Sequence, residues 1–440
     1  MGTADDDAST VRSTELEALA NVATVLQLCA AGKLRCSEKT SRPSAATVRV
    51  VAESLAAGDF YTDDAIASFA WPLLLQAGGL ARLEGGKLAL TPKGSKALGL
   101  PPAEVIRGLW ERWPRHAPID EFSRVEQIKG QRSSAALSAT GPRRQVAAAA
   151  LALCPPDGWI AVDELFSQMR DADLNPTIAR SERGLWRLYI DDAQYGSLGY
   201  DGHHDWPILE GRYTLAVLFE YAATLGLLDV EYVDPVGARD DYCHMWGADW
   251  IEALSRYDGL RAVRLNGLGQ YAVGLNGSYA PPASAPSSRG LEVLANFDVV
   301  ATAELPTADR LVLDAYAART SDRVWTLSAA SLLAAVDRGR TPANLLTFLA
   351  ERAAHELPDT VATLLGDVAD RAGQVRDLGM RRIVECAYPH VATLIAHDRA
   401  LRAHCTLIGD RHLMLSDSNE ARFRSALRGL GYALGPASAG

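Results

Sequence analysis

The sequence predicts a helix-rich α+β chain built from several modules, and three observations lead to that reading. Through the first hundred residues apolar side chains recur at helical spacing, then give way to a short alternating pair of segments around Gly85-Gly86. A second helix-to-strand cycle begins near residue 141. A run rich in proline and serine, 281–289, then precedes a third succession of strands and helices.

In the first segment, Leu16, Leu19, Val22, Val25, Leu26 and Cys29 mark one helix that Gly32 stops. A short strand, Lys33 to Cys36, follows, and a second helix is expected from about Ser44 to Ala56. Asp63 to Gln76 reads as a third helix. Leu80 to Leu83 and Lys87 to Thr91 alternate as strands around Glu84-Gly85-Gly86. Three helices and a hairpin in that order make a winged-helix module over 1–100. Residues 101–140 read as a helical arm and connection, in which Trp110 and Trp113 are packing residues. Residues 141–280 read as a second winged-helix-like domain with an insertion at about 168–210, a long apolar helix from Arg212 to Leu227, and strand-like segments after Leu228 and from Gly259 to Leu275. The linker 281–289 closes that domain; 290–432 forms the next, expected to make few contacts across the linker, and 433–440 is a tail.

A chain of 440 residues, 48% apolar and 22% charged, has material for roughly two to four domains. Its longest small-apolar run, Val146 to Cys154, falls well short of the ~20 residues of a spanning helix. Asp5, Asp6 and Asp7 do not suit a signal peptide, and the six scattered cysteines suit reduced thiols, so a cytoplasmic address without membrane contact is expected. The net charge of −10 is unevenly spread: 131–290 carry 13 basic and 20 acidic groups, whereas the flanking thirds are nearly balanced. All six lysines lie in the first 129 residues.

Beyond the linker, Leu291 to Val300 reads as a buried strand, Leu305-Pro306 opens a helix, Asp322-Arg323-Val324-Trp325 leads to Leu327-Ser328, and Thr341-Pro342 and Leu357-Pro358 open two more helices. The order and spacing of these pieces over 290–432 resemble the helicase-associated N-terminal domain of XPB-type helicases. The resemblance implies an α/β helicase-associated domain after tandem winged helices, a role near DNA in repair or phage defence, and a helicase or other DNA-processing complex as partner. Two departures stand out: Ala295-Asn296 replaces the family's Pro-Asn, and no motor accompanies the domain. Gly85-Gly86-Lys87-Leu88 lacks the spacing and hydroxyl of a phosphate-binding loop, so neither ATP hydrolysis nor any cofactor is expected.

Candidate sites follow from charge and aromaticity. Arg82, Lys87, Lys93 and Lys96 straddle the wing, where a winged helix touches the DNA backbone, while the third helix lacks Lys and Arg and is a poor reader of base edges. Arg180, Arg183 and Arg187 would share one helix face, with Trp186 and Tyr189 adjacent, a mixture that suits phosphates and exposed bases. Alternatively, Arg183 and Arg187 pair with Glu182, Asp191 or Asp192 and the aromatics fill core. Tyr195, Tyr200, His203, His204 and Trp206 form a glycine-bearing loop read as a partner or packing loop. Adding Cys243-His244 gives the elements of a zinc site, but ligands in adjacent pairs point apart, so no metal is expected. The leading reading is a non-enzymatic accessory protein making weak, sequence-tolerant contacts with duplex or single-stranded DNA. The alternative is a protein-interaction adaptor that keeps winged-helix architecture and binds no nucleic acid.

Overall fold

A helix that is apolar on every side belongs in the interior, and the stretch following Trp206 is such a helix. In the computed structural model, which describes residues 9–132, 136–282, 290–375, 377–415 and 419–435, three helical segments run end to end: Pro207–Gly211, Arg212–Ala216 and Val217–Ala223. The first and last have the wide π-type turn, and every residue of 211–230 is buried.

Around this helix the chain of Met1–Ala369 builds one compact unit. A single core gathers residues from Ala18 to Ala272, so the segments expected as two winged-helix domains share their interior. They also share a sheet. The N-terminal strand Thr10–Arg12 pairs with Leu228–Tyr232, which pairs with Leu260–Leu265, which pairs with Trp159–Ala161, all antiparallel. The expected helical arm lies inside the same unit. Its helix Pro102–His116 buries Trp113, whose ring stacks on Trp110 at 5.4 Å and on Tyr221 of the central helix at 4.9 Å.

The first hundred residues keep the expected element order. Helices Glu15–Ala30, Ala45–Ala52 and Ala67–Ala77 precede the hairpin of Ala81–Glu84 and Lys87–Leu90. Gly85 and Gly86 take the positive φ values, 57° and 74°, that a two-residue turn requires. Ser44 caps the second helix by accepting from the Thr47 N–H, and the strand expected at Lys33 to Cys36 is reduced to single bridges, Arg35 to Lys87 and Cys36 to Pro43. The third helix starts at Ala67 because Asp59 folds over its end, its carboxylate accepting from the N–H groups of Ile66, Ala67 and Ser68. The strand expected through Leu275 stops at Leu265, where Asn266 accepts from the Gly269 N–H at 2.9 Å and caps the short helix Gly267–Ala272.

Most of the expected linker, 283–289, lies outside the described residues, as does the end of the expected tail, 436–440. Past the linker, a four-stranded antiparallel sheet runs in the order Ala318–Ser321, Val324–Thr326, Asp298–Ala301, Leu291–Val293. Helices Thr307–Tyr316, Ala329–Asp337, Pro342–Arg352 and Asp359–Ala372 accompany it and supply most of a second core. Thr307–Tyr316 also lies along the first helix, with Leu311 packed onto the larger core, so contacts cross the linker. The compact units divide between Ala369 and Asp370 instead, which splits the segment expected as one domain, 290–432. Asp370–Gly440 holds a three-stranded sheet of Arg382–Glu385, His412–Leu415 and Thr406–Ile408, with helices Pro389–His397 and Glu420–Gly429 closing a small core around Phe423. The whole is a helix-rich α+β chain, and no helix among the described residues is long and apolar enough to cross a membrane.

The interior of the larger unit is also ionic. Arg212 donates to Asp258 at 3.1 Å and to Asp241 at 2.6 Å; Arg124 donates to Glu220 at 2.9 Å, and Tyr257 donates to the same carboxylate. Arg144 grips both oxygens of Glu121, at 2.9 and 2.8 Å, while Tyr213 donates to it at 3.3 Å and Arg143 pairs with the adjacent Asp120.

Burial raises the Glu121 carboxyl from the ordinary 4.5 to about 7, even though Arg144 pulls it down. A carboxyl raised on folding contributes stability that is complete below its unfolded pKa and is lost as pH rises through the folded one. We therefore expect unfolding free energy to fall by about 3 kcal/mol from this group between pH ~4.5 and ~7. Glu121→Gln cannot titrate and should flatten that slope, its neutral amide standing in for the protonated carboxyl and leaving stability at the acid end within about 1 kcal/mol of the parent. Denaturant melts of both proteins across that pH range check both expectations.

Candidate nucleic-acid and partner surfaces

The wing cations stand on the hairpin and the short helix Pro92–Ala97 that follows it. Arg82 is exposed but spent locally, 2.6 Å from Glu84 on its own strand. Lys93 bends back to donate to the Gly78 carbonyl at 3.2 Å, and burial, reinforced by Arg112, lowers its pKa. Lys87 and Lys96 remain exposed, and the Arg35 to Lys87 bridge brings a second cation beside Lys87. The sequence reading missed Arg35 because its strand is a single bridge. The helix Ala67–Ala77 is buried at every position but Gln76, so it forms core and presents no reading face.

The arginines at 180–187 do not share a helix face. Only Glu182–Leu185 is helical, a single turn, and Arg180 lies before it, next to the bridge between Leu137 and Ala179. All three arginines are exposed, and Arg180 and Arg187 each hold an interaction within the chain. Trp186 is half exposed and lies flat over Gly199, where a Cβ would meet its ring at 2.2 Å, with its edge against Tyr200 at 5.1 Å. Tyr189 belongs to the two-residue strand pairing with Ile128–Lys129.

The loop residues divide into two groups. His203 is buried and its Nδ1 lies 3.2 Å from the Ser197 carbonyl; His204 Nδ1 lies 3.0 Å from the Leu198 carbonyl. Trp206 packs edge-on against Phe166 and donates to Asn175 at 3.2 Å. These three fix the loop from within. Tyr195 and Tyr200 face outward, and Tyr195 stacks on Trp246. Cys243 and His244 are exposed, and His203 and His244 have ring centres 6.2 Å apart; among the described residues no group of three or more His, Cys, Asp or Glu is placed to hold a metal.

A further site lies past the linker. A cleft of about 380 Å³ is lined by Arg310, Arg319, Arg323, Trp325, Glu304 and Asp322, among others. Arg319 and Trp325 face each other across the strands Ala318–Ser321 and Val324–Thr326, and the guanidinium lies 5.5 Å over the indole. Trp325 is itself anchored, donating to Asp314 at 2.7 Å. Arg319 reaches Asp322 at 3.2 Å, Arg310 donates to Thr307 at 3.1 Å, and Arg323 is exposed. Three guanidinium groups line this open cleft with forked donors of the kind that take a phosphate, Arg319 sharing its own with Asp322 and Glu304 lining the same cleft. The sequence reading quoted Arg323 and Trp325 only as landmarks; the cross-strand register that joins Arg319 to Trp325 is the signal it lacked.

This cleft sits in a helicase-related domain. Residues 291–406 match the family described as the helicase conserved C-terminal domain, about a quarter of the chain. That places a helicase-related domain where the sequence reading expected one, under a C-terminal description and ending before residue 432. No curated protein matches the chain.

Gly196 is the point on which the aromatic loop turns. A Cβ there would fall 1.8 Å from the Ile190 carbonyl oxygen, and backbone bonds from Ile190 to Gly196 and from Gly196 to Asp192 lock it in place. Gly196→Ala should cost about 1–3 kcal/mol, as forced overpacking does. Part of the loss should appear as release of the Tyr195–Trp246 stack, read by tryptophan emission alongside a denaturant melt.

Proposed function

We propose that this chain is a non-enzymatic accessory protein that holds nucleic acid by its phosphates and works beside a helicase or another DNA-processing partner. The observation that carries the reading is the three-arginine cleft inside the helicase-related domain. In the finer form, the domain is of the XPB-type helicase-associated kind, preceded by winged-helix modules, and the setting is cytoplasmic DNA repair or phage defence. Contacts are few, because the net charge is −10 and two of the four wing cations are engaged locally. Binding is therefore weak, sequence-tolerant and steeply salt-dependent. The buried third helix supports the same conclusion, since it offers no side chains for base readout.

One observation favours the adaptor reading instead: the stretch that exposes Trp246 and Trp250 is acidic. The two readings separate in one titration. With labelled duplex at low salt, we expect micromolar binding and a log–log salt slope of about −3, corresponding to ~3 phosphate contacts. Arg319→Ala with Arg323→Ala should weaken all sequences alike and flatten the slope by about two units, while Lys87→Ala should remove about one more. No binding by the unmodified protein at low salt would leave the adaptor, and a strong preference for one sequence would refute backbone-directed contact.

A further inference from the structure

Two loops remote in sequence, 189–206 and 234–252, meet at the surface. Tyr195 and Trp246 stack with ring centres 6.5 Å apart, and Gly247 lies so close to the first loop that a Cβ would be 2.9 Å from the Ile190 carbonyl oxygen. Together the two stretches contain nine carboxylates and a single arginine, Arg239, which is turned away to Asp163 at 2.8 Å. Among the described residues, Asp201, Asp205, Asp240, Asp249 and Glu252 are exposed and form no ion pair. The second stretch also carries two indoles of a kind that a folded chain ordinarily covers: Trp250 is 90% exposed and Trp246 is 67% exposed.

The platform beneath these rings is built. Met245, next to Trp246, and Ala248, between the two tryptophans in sequence, are buried, and Tyr242 donates to the Ile251 carbonyl at 3.2 Å. Asp241 at the base of the second loop is held by the buried Arg212. The exposed rings therefore sit on a loop pair tied into the core.

We infer that this acidic aromatic surface docks an arginine- or lysine-rich segment of a protein partner. Cations bind over aromatic faces, tryptophan best, and carboxylates beside the rings supply charge-assisted hydrogen bonds to the same groups. Single-stranded nucleic acid also stacks on exposed aromatics, but it needs a positive groove for its backbone, and here the two stretches are acidic, with Lys129 beside them already 4.0 Å from Asp191. The inference does not rest on the DNA reading above. It uses a different surface and opposite charge, and it stands if the duplex titration fails.

Fluorescence anisotropy on the full chain provides the test, with a labelled peptide of alternating arginine and glycine, its citrulline counterpart, and labelled oligothymidylate. The arginine peptide should bind at low salt, and the other two should not. Trp246→Ala with Trp250→Ala should weaken it at least tenfold, the corresponding phenylalanine pair should restore much of the loss, and Asp201→Asn with Asp249→Asn should weaken it comparably. Asp367→Asn with Asp370→Asn makes the same change in net charge at exposed helical positions elsewhere and should leave binding unchanged. Circular dichroism establishes that each variant is folded. Peptide binding indifferent to the tryptophan and Asp201/Asp249 variants, preference for oligothymidylate, or self-association abolished by the tryptophan pair would each overturn the assignment, the last by giving the surface to a second copy of the chain.

Discussion

Arg212 and Glu220 lie two turns apart on a helix with no solvent-facing side, and the larger unit is organised by the need to neutralise them. Both side chains are fully buried, so each charge has recruited a partner from a different part of the chain: Asp241 and Asp258 for the arginine, Arg124 and Tyr257 for the glutamate. Glu121 and Arg144 repeat the pattern one layer out, with Tyr213 of the same helix as the link. Buried ion pairs return little net stability compared with apolar packing, but removing one partner is expensive. Their effect here is to specify register. The segments at 120–124, 143–144, 241 and 257–258 have one arrangement in which every buried charge is matched.

That constraint explains what could and could not be read beforehand. Elements set by local chemistry were legible: the Gly85-Gly86 turn, the proline-opened helices at Pro342 and after Pro358, and the apolar helix beyond Arg212. The union of the first two modules was not, because it depends on Thr10–Arg12 joining a sheet with residues more than two hundred positions away, and a three-residue strand carries no periodic signal. Strand ends were misread where a side chain intervened, as when Asn266 diverts an apolar run into a helix. The 180–187 arginines failed for a similar reason, since spacing suggested a face and the backbone supplied only one turn.

The candidate sites were legible in part. Charge counting located the acidic middle of the chain, and the aromatic loop was singled out by its glycines and rings, yet its counterpart at Trp246 and Trp250 emerged only when the loops were seen to touch. In the helicase-related domain, Arg310, Arg319 and Arg323 are scattered singly along the sequence and converge through strand register. The molecule thus presents cations on the domain past the linker and carboxylates on the loops of the central module. Two ligands of opposite charge could be held without competing for one surface, since each would be repelled from the other's site.

The pairing of Thr10–Arg12 with Leu228–Tyr232 also bears on how the chain is made. Its first hundred residues are covered early by the helix Pro102–His116, which packs on Glu15–Ala30 and Ala67–Ala77, but not yet by the sheet and central helix that complete the core. The helix Ala67–Ala77, apolar almost throughout, packs in the finished protein against Val217–Ala223, and at roughly 5–20 residues per second that partner is synthesised many seconds later. Until then Phe69, Trp71 and their neighbours have only local elements to shelter them. Completion of the N-terminal core therefore waits for the middle of the chain to be synthesised. The nascent chain is a natural client for a holding chaperone, and the same exposed helix makes truncated products aggregation-prone.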